Sequence, residues 1–365
     1  MISGRLFTYT DLVDRALGAL SPIRNASSLG AALKQADLDY EVDKRPVFDY
    51  RQREIEGYYA IHRLPEDTVI GVVGQRYTPI LNRVAFGPLD TWIGAGDVRI
   101  YRGGVFDNGR IAVLLASLNP SVLSDVLKNV SYLPDSVRRL HLAFLNSFDG
   151  SYQVSFFPFM MAGAILPLST VTRQYTEQSE ERIAVRHVSS GHIRLQLASF
   201  YPKVIARNVG PSLVALDKMA RTKVSENQIE KLLKECLYSA SQDNLEHDTA
   251  RRREERLLKI VTEVKAAAVF HPDCEERPDL ANTMLGFLLG FSTWVDFERK
   301  HQSKDAARRL YSNLLGGGSD LKRRMFELCV SEVSNRRTMQ KEHTPQEEYI
   351  SIDSNEEVSH LARTR

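Results

Sequence analysis

Cysteine is scarce: Cys236, Cys274 and Cys329 are the only three in 365 residues, and no two form a Cys-x-x-Cys pair. That spacing excludes a disulfide framework and a zinc ribbon and fits a reducing interior, so cytoplasmic residence is expected. Long hydrophobic runs are missing too. The longest, Met284 to Val295, includes Ser292 and Thr293. It falls short of the roughly 20 residues a bilayer span requires and reads as a buried helix. Asp11, Asp14 and Arg15 interrupt the first apolar segment, so secretion is not expected. No Gly-x-Ser-x-Gly and no Gly-x-x-x-x-Gly-Lys-Ser/Thr occurs, so neither serine hydrolysis nor ATP use is indicated, and no cofactor is expected. His187 and His192 flank a turn and His271 precedes Cys274 by three residues, but neither pair supplies the three or four ligands of a zinc site. Bulk charge is also absent. The 48 basic and 46 acidic side chains leave a net +2, so attraction to a polyanion must come from local segregation of charge.

What the chain does contain is a run of strand-like segments followed by helical ones. Residues 1–36 read as a short helical entry, with Thr10 and Ser28 as N-caps. Residues 37–200 read as an α+β core. YEVDKRPVF, GYYAIHRL, TVIGVVGQRY, DVRIYRGGVF and RIAVLLASL are separated by Gly, Pro, Asp and Asn, the pattern of an antiparallel sheet. Asn82 to Ile93 predicts a helix interrupted near Pro88. LHLAFLNSFDGSYQVSFFPFMM predicts two strands around Asp149-Gly150, and RIAVRHVSSGHIRLQL another pair around Ser189 to Gly191. Residues 201–337 read as helical: Ser225 and Gln228 form a capping box ahead of Ile229, Leu232, Leu233, Cys236 and Leu237. Residues 338–365 are polar, acidic and without periodicity, which predicts a disordered tail. The fold class is therefore α+β, an antiparallel sheet packed by helices with a helical C-terminal region.

Arg76, Arg99, Arg102, Arg110, Arg186 and Arg194 stand in or beside predicted strands, with Tyr77, Tyr101, Tyr152 and Phe156 nearby. Guanidinium groups beside aromatic rings on one polar sheet face suit a single-stranded nucleic acid, with the arginines on phosphates and Tyr77 and Tyr101 stacking on bases. Between Arg299 and Arg324, eight basic residues stand against two acidic ones. Lys322, Arg323 and Arg324 are therefore a second candidate contact, for a phosphate backbone or an acidic protein surface. Asp37, Asp39, Glu41, Asp43 and Lys44 are the only carboxylate cluster resembling a metal-dependent nuclease site, and a second contributing motif is lacking.

ADLDYEVDKRPVF, VVGQRYTPILNRVAF, LNSFDGS, RIAVRH, FSTWVDFERKH and LLGGGSDLKRRMFEL occur in the order seen in the phage/plasmid-like protein family, which the chain resembles from about Ala36 to Leu328. The family is of unknown function. After the SFDGS strand it tends to carry a Cys and an Asn, where this chain reads FPFMMAGAILPLST. The arrangement is similar at fold level to single-strand annealing recombinases. That similarity implies a non-enzymatic protein of a phage or mobile element, active in a bacterial or phage-infected cell, that binds single-stranded DNA and anneals it without ATP. A homo-oligomeric ring or filament follows from the same likeness. The alternatives are a protein-interaction or structural component, or a metal-dependent nuclease using Asp39, Glu41 and Asp43.

Overall fold

The computed structural model describes residues 9–168, 183–189, 191, 201–238, 247–299 and 305–342. Helix α1 (Tyr9–Leu17) and strand β1 (Ser21–Pro22) lead into α2 (Leu29–Gln35), whose N-cap Ser28 accepts a hydrogen bond from Ala31 N as its sequence predicts. Three strands follow, β2 (Glu41–Phe48), β3 (Glu54–Leu64) and β4 (Thr68–Gly74), and they form a separate antiparallel sheet in the order β2-β3-β4. The predicted interruption falls at Pro88, between α3 (Asn82–Ala85) and α4 (Pro88–Gly94).

The larger sheet is assembled from β1, β5 (Val98–Phe106), β6 (Ile111–Leu118), β7 (Leu140–Ser147), β8 (Val154–Ala162), β9 (Ala164–Pro167) and β10 (Ile183–Val185). Helices α5 (Ser124–Leu127) and α6 (Asp135–Arg138) lie between β6 and β7. The order is β1-β5-β6-β7-β8-β10, with β9 also on β8, and every pairing is antiparallel. The fold class is thus α+β as read from sequence.

Both faces of this sheet are covered. Because side chains alternate along a strand, Leu142, Phe144, Phe156 and Met160 enter one apolar cluster with Trp92. Ala143, Leu145, Phe157, Phe159 and Met161 enter another with Leu17 and Leu20. All residues of β7 and β8 are buried, so the expected polar face carrying arginines does not exist on the central strands.

The C-terminal half supplies much of the cover. It contains α7 (Tyr201–Arg221), α8 (Glu226–Leu237), α9 (His247–Val269), α10 (Pro272–Glu276), α11 (Met284–Thr293), α12 (Ala306–Leu315) and α13 (Gly317–Glu342). The capping box of Ser225 and Gln228 starts α8. The helical path of α13 continues to Glu342, past the expected start of a disordered tail at 338; residues 343–365 lie outside the described residues. All ten residues of α11 are buried, as expected of a helix that is apolar on every side. Gly290 makes this packing possible, since a Cβ there would lie 2.6 Å from Val264 O on α9.

Between α11 and α12 a π-helical turn, Trp294–Glu298, carries Asp296. Its carboxylate accepts from Lys322 Nζ on α13 at 2.6 Å and from the Ile165 amide of β9 at 2.8 Å. Both side chains are essentially inaccessible. Burial pushes the Lys322 pKa down while the Asp296 charge draws it back up. Removing one partner of such a pair strands a charge without solvent, at a cost of roughly 3–5 kcal/mol. Lys322→Met is therefore expected to lower the urea midpoint severely. Asp296→Asn/Lys322→Met, which keeps an acceptor for the Ile165 amide, should recover much of the loss in the same measurement.

Candidate nucleic-acid interface

Four motif segments that are far apart in sequence meet at the turn joining β7 to β8. The turn is built locally: Asp149 Oδ1 accepts from Ser151 N at 2.9 Å and Gly150 adopts φ 75°, a conformation that favours glycine. Tyr77 Oη donates to Ser147 O at 2.6 Å, and its ring stacks on His187 with centroids 4.8 Å apart. Thr78 N donates to His187 O at 2.9 Å, and Phe148 N to Arg110 O at 2.7 Å. Gly71 of β4 lies against the turn so closely that a Cβ would sit 2.5 Å from Phe148 O. Behind it, Asn146 Nδ2 donates to Ile80 O (2.8 Å) and Asn82 Oδ1 (2.9 Å), and Asn82 Nδ2 to Leu38 O (3.0 Å). These buried amides bind three chain segments together through hydrogen bonds shielded from water.

Positive charge beside the turn is held in two ways. Lys44 Nζ donates to Gln75 O (2.9 Å) and Tyr77 O (2.7 Å) and lies 4.5 Å from the Tyr59 ring centroid, with its pKa lowered by burial. Arg63 lies over Tyr40 at 4.3 Å and pairs with Asp37 at 2.7 Å. Desolvation pushes the Tyr40 hydroxyl up to about 12. Arg76, Arg110 and Arg186 are exposed. Their backbones flank the same turn: Arg76 precedes Tyr77, Arg110 accepts from Phe148 and Arg186 precedes His187.

The other expected contacts lie elsewhere. Arg99, also exposed, is near the far end of the β5–β6 hairpin, opposite Ser117. It stands seven residues from Phe106, or roughly 23 Å at about 3.3 Å per residue. Arg102 is paired with Asp14 of α1 and donates to Leu20 O at 3.0 Å, so its guanidinium is committed internally. Arg194 lies outside the described residues. Neither tyrosine offers an open ring. Tyr77 is fixed against His187, and burial raises its hydroxyl pKa; Tyr101 is half-buried with its ring edge-on to His141. Tyr152 and Phe156 are buried.

Lys322 is not a surface cation at all, because its ammonium is inside the helical core on Asp296. Arg323 pairs with Glu327 at 3.0 Å, and Arg324 is exposed and donates to Glu235 O at 2.9 Å. The basic run in α13 is therefore divided between interior and surface.

The nuclease alternative meets a different obstacle. Asp37 pairs with Arg63, Glu41 with Arg83 and Asp43 with Arg45. Among the described residues no three His, Cys, Asp or Glu side chains are grouped to hold a metal. A group of half-buried Ser136 with buried His271 and Asp273 is wired for structure. Ser136 Oγ donates to Asp273 Oδ2 at 2.5 Å, His271 Nε2 to Ala162 O at 2.6 Å, and His271 Nδ1 accepts from Asp273 N at 3.2 Å. Burial pushes the Cys236 and Cys274 thiols up to about 12 and raises Cys329 as well, opposite to what a nucleophile needs.

Sequence reasoning did not find the Asn82–Asn146 bond or the lodging of Lys44 against Tyr59. An asparagine inside an otherwise apolar strand, LHLAFLNS, is the signal that was available for the first. The second depends on strand register. It also passed over the β2–β3 hairpin, where residues 50–58 are all exposed.

Burial lowers the pKa of His141 and of His187 to about 4. Unfolded, each titrates near 6.5, so between about pH 6.5 and 4 the unfolded chain binds more protons than the folded one. Their contribution to stability is complete above that window and is lost as pH falls through it, by roughly 1.4 kcal/mol per pH unit per histidine. The melting temperature should fall from pH 7 to pH 5. His141→Phe, placed beside Phe159 and Tyr101, should flatten that decline in thermal melts.

Among the described residues no helix is long and apolar enough to cross a membrane. No curated protein and no solved structure matches the chain. A family model does match across more than half of its length, and it spans the β7–β8 turn together with β4, β10 and most of the covering helices. The chain belongs to the family described as a domain of unknown function (DUF932), matched over residues 69–314.

Proposed function

We propose that the protein binds single-stranded nucleic acid, DNA in the first instance, and assists annealing of complementary strands without ATP. One observation supports the reading: the backbones of the exposed residues Arg76, Arg110 and Arg186, from three distant segments, lie beside one turn. Arg110 has Asp107 as a neighbour at 3.2 Å, an exposed pair that a phosphate can displace cheaply. Among the described residues the rim has no open aromatic ring, so the affinity comes mainly from phosphate contacts and carries little sequence preference.

Three phosphate contacts on a single strand give a log–log salt slope of about −2, so affinity should fall roughly fifteen- to twentyfold when salt is raised fourfold. Fluorescence anisotropy with a labelled oligonucleotide at two salt concentrations measures this. Arg76→Glu/Arg186→Glu should weaken binding more than tenfold. Arg102→Ala should change it less than twofold, because that guanidinium already serves Asp14. Binding that ignores salt, or survives the double charge reversal, sinks the proposal. Mg²⁺-dependent loss of the oligonucleotide would favour the nuclease.

A second reading, a protein-interaction component, is favoured by a separate observation. The hairpin between β2 and β3 presents apolar side chains that are exposed among the described residues.

A further inference from the structure

The β2–β3 hairpin outruns its sheet. The last β3–β4 pair is Tyr58 with Gly74, whereas β2 and β3 remain paired as far as Phe48 with Glu54. Residues beyond Tyr58 thus form a two-stranded ribbon, a structure that is marginal in water without something to pack on. Phe48 is 57 % exposed, Tyr50 85 % and Tyr58 56 %, with Ile55 beside them. Aromatic side chains in such positions are characteristic of the central part of a protein interface. The charge is wrong for a polyanion: residues 41–74 hold seven acidic and five basic side chains. Arg45 and Arg53 are already engaged by Asp43, Asp67 and Asp49.

One other part of the described surface gathers large apolar side chains, and its charge is opposite. Leu258 and Val269 are each 54 % exposed on α9, followed by Phe270 at its end. Leu258, Thr262, Lys265 and Val269 recur at helical spacing, so they share one outward stripe. From Arg251 to Phe270 the chain carries six basic and three acidic side chains; Arg251, Lys259 and Lys265 lie beside Glu255, Glu263 and Glu226, which leaves Arg252, Arg253 and Arg256 as the excess positive charge.

We infer that the protein self-associates head to tail, with the β2–β3 arm of one copy lying along the outer stripe of α9 on the next. Tyr50 and Tyr58 supply the apolar contact and Glu54 and Glu56 face the basic helix, so charge complementarity fixes the orientation. The two contact surfaces are different, so the contact is heterologous and extends to a ring or a filament according to its rotation. The inference goes beyond nucleic-acid binding and stands without it.

Sedimentation velocity of the full chain without nucleic acid, over a wide concentration range, tests it. Wild type should form concentration-dependent oligomers. Tyr50→Ser/Tyr58→Ser and Leu258→Glu/Val269→Glu should each be monomeric, with circular dichroism unchanged because all four side chains are on the surface. Mixing the two variants should restore a one-to-one dimer, since each retains the half that the other lost. A wild type that stays monomeric, variants that still assemble, or a mixture that stays monomeric would each overturn the inference. Oligonucleotide binding by the monomeric variants reads the nucleic-acid proposal separately.

Discussion

The Asp296 carboxylate is the point on which the architecture turns. One oxygen holds the Ile165 amide at the end of the large sheet and the other holds the Lys322 ammonium, inside a core where neither charge meets water. A buried pair of this kind contributes little net stability compared with apolar side chains, but it penalises any packing that separates its members. It therefore fixes the position of β9 relative to the π-helical turn and to α13. The helical half is not an appendage to the β core: it forms part of the wall on which that core is built.

Confinement of the chemistry follows from this arrangement. A sheet covered on both faces offers a ligand only its edges and its turns, so the polar groups that are not structural collect where strands reverse. The β7–β8 turn is one such place. Hydrogen bonds to backbone carbonyls, rather than side-chain pairs alone, hold Tyr77, Asn146 and Lys44 there. The exposed arginines stand on a rigid base, because each is adjacent to a residue whose position is fixed.

Local features were legible in the sequence. Ser28, the Ser225–Gln228 capping box, the division at Pro88 and the Asp149-Gly150 turn are decided by neighbours within a few residues, and each was found where expected. The sheet's orientation was less legible. Alternation predicts one polar face, whereas LHLAFL and VSFFPFMM are nearly continuous apolar runs, the mark of strands buried on both sides. Partners across long separations were not legible at all. Lys322 sits among arginines and so reads as surface, while its carboxylate is 26 residues earlier. Arg102 meets Asp14 across 88 residues, a pairing set by where α1 lies against the large sheet. Which arginines share a rim depended on strand order, which local pattern does not specify.

The late supply of the sheet's cover has a consequence for biosynthesis. Met161, Phe157 and Phe159 are packed in the same cluster as Leu310, Leu314 and Leu315, about 150 residues further along. A ribosome adding roughly 5–20 residues per second takes roughly 8–30 seconds to pass from those apolar strands to α12, which covers them. During that interval, α1 is the helical cover of this face that the described residues have already supplied, so the order of synthesis leaves the strands' apolar face to be closed last.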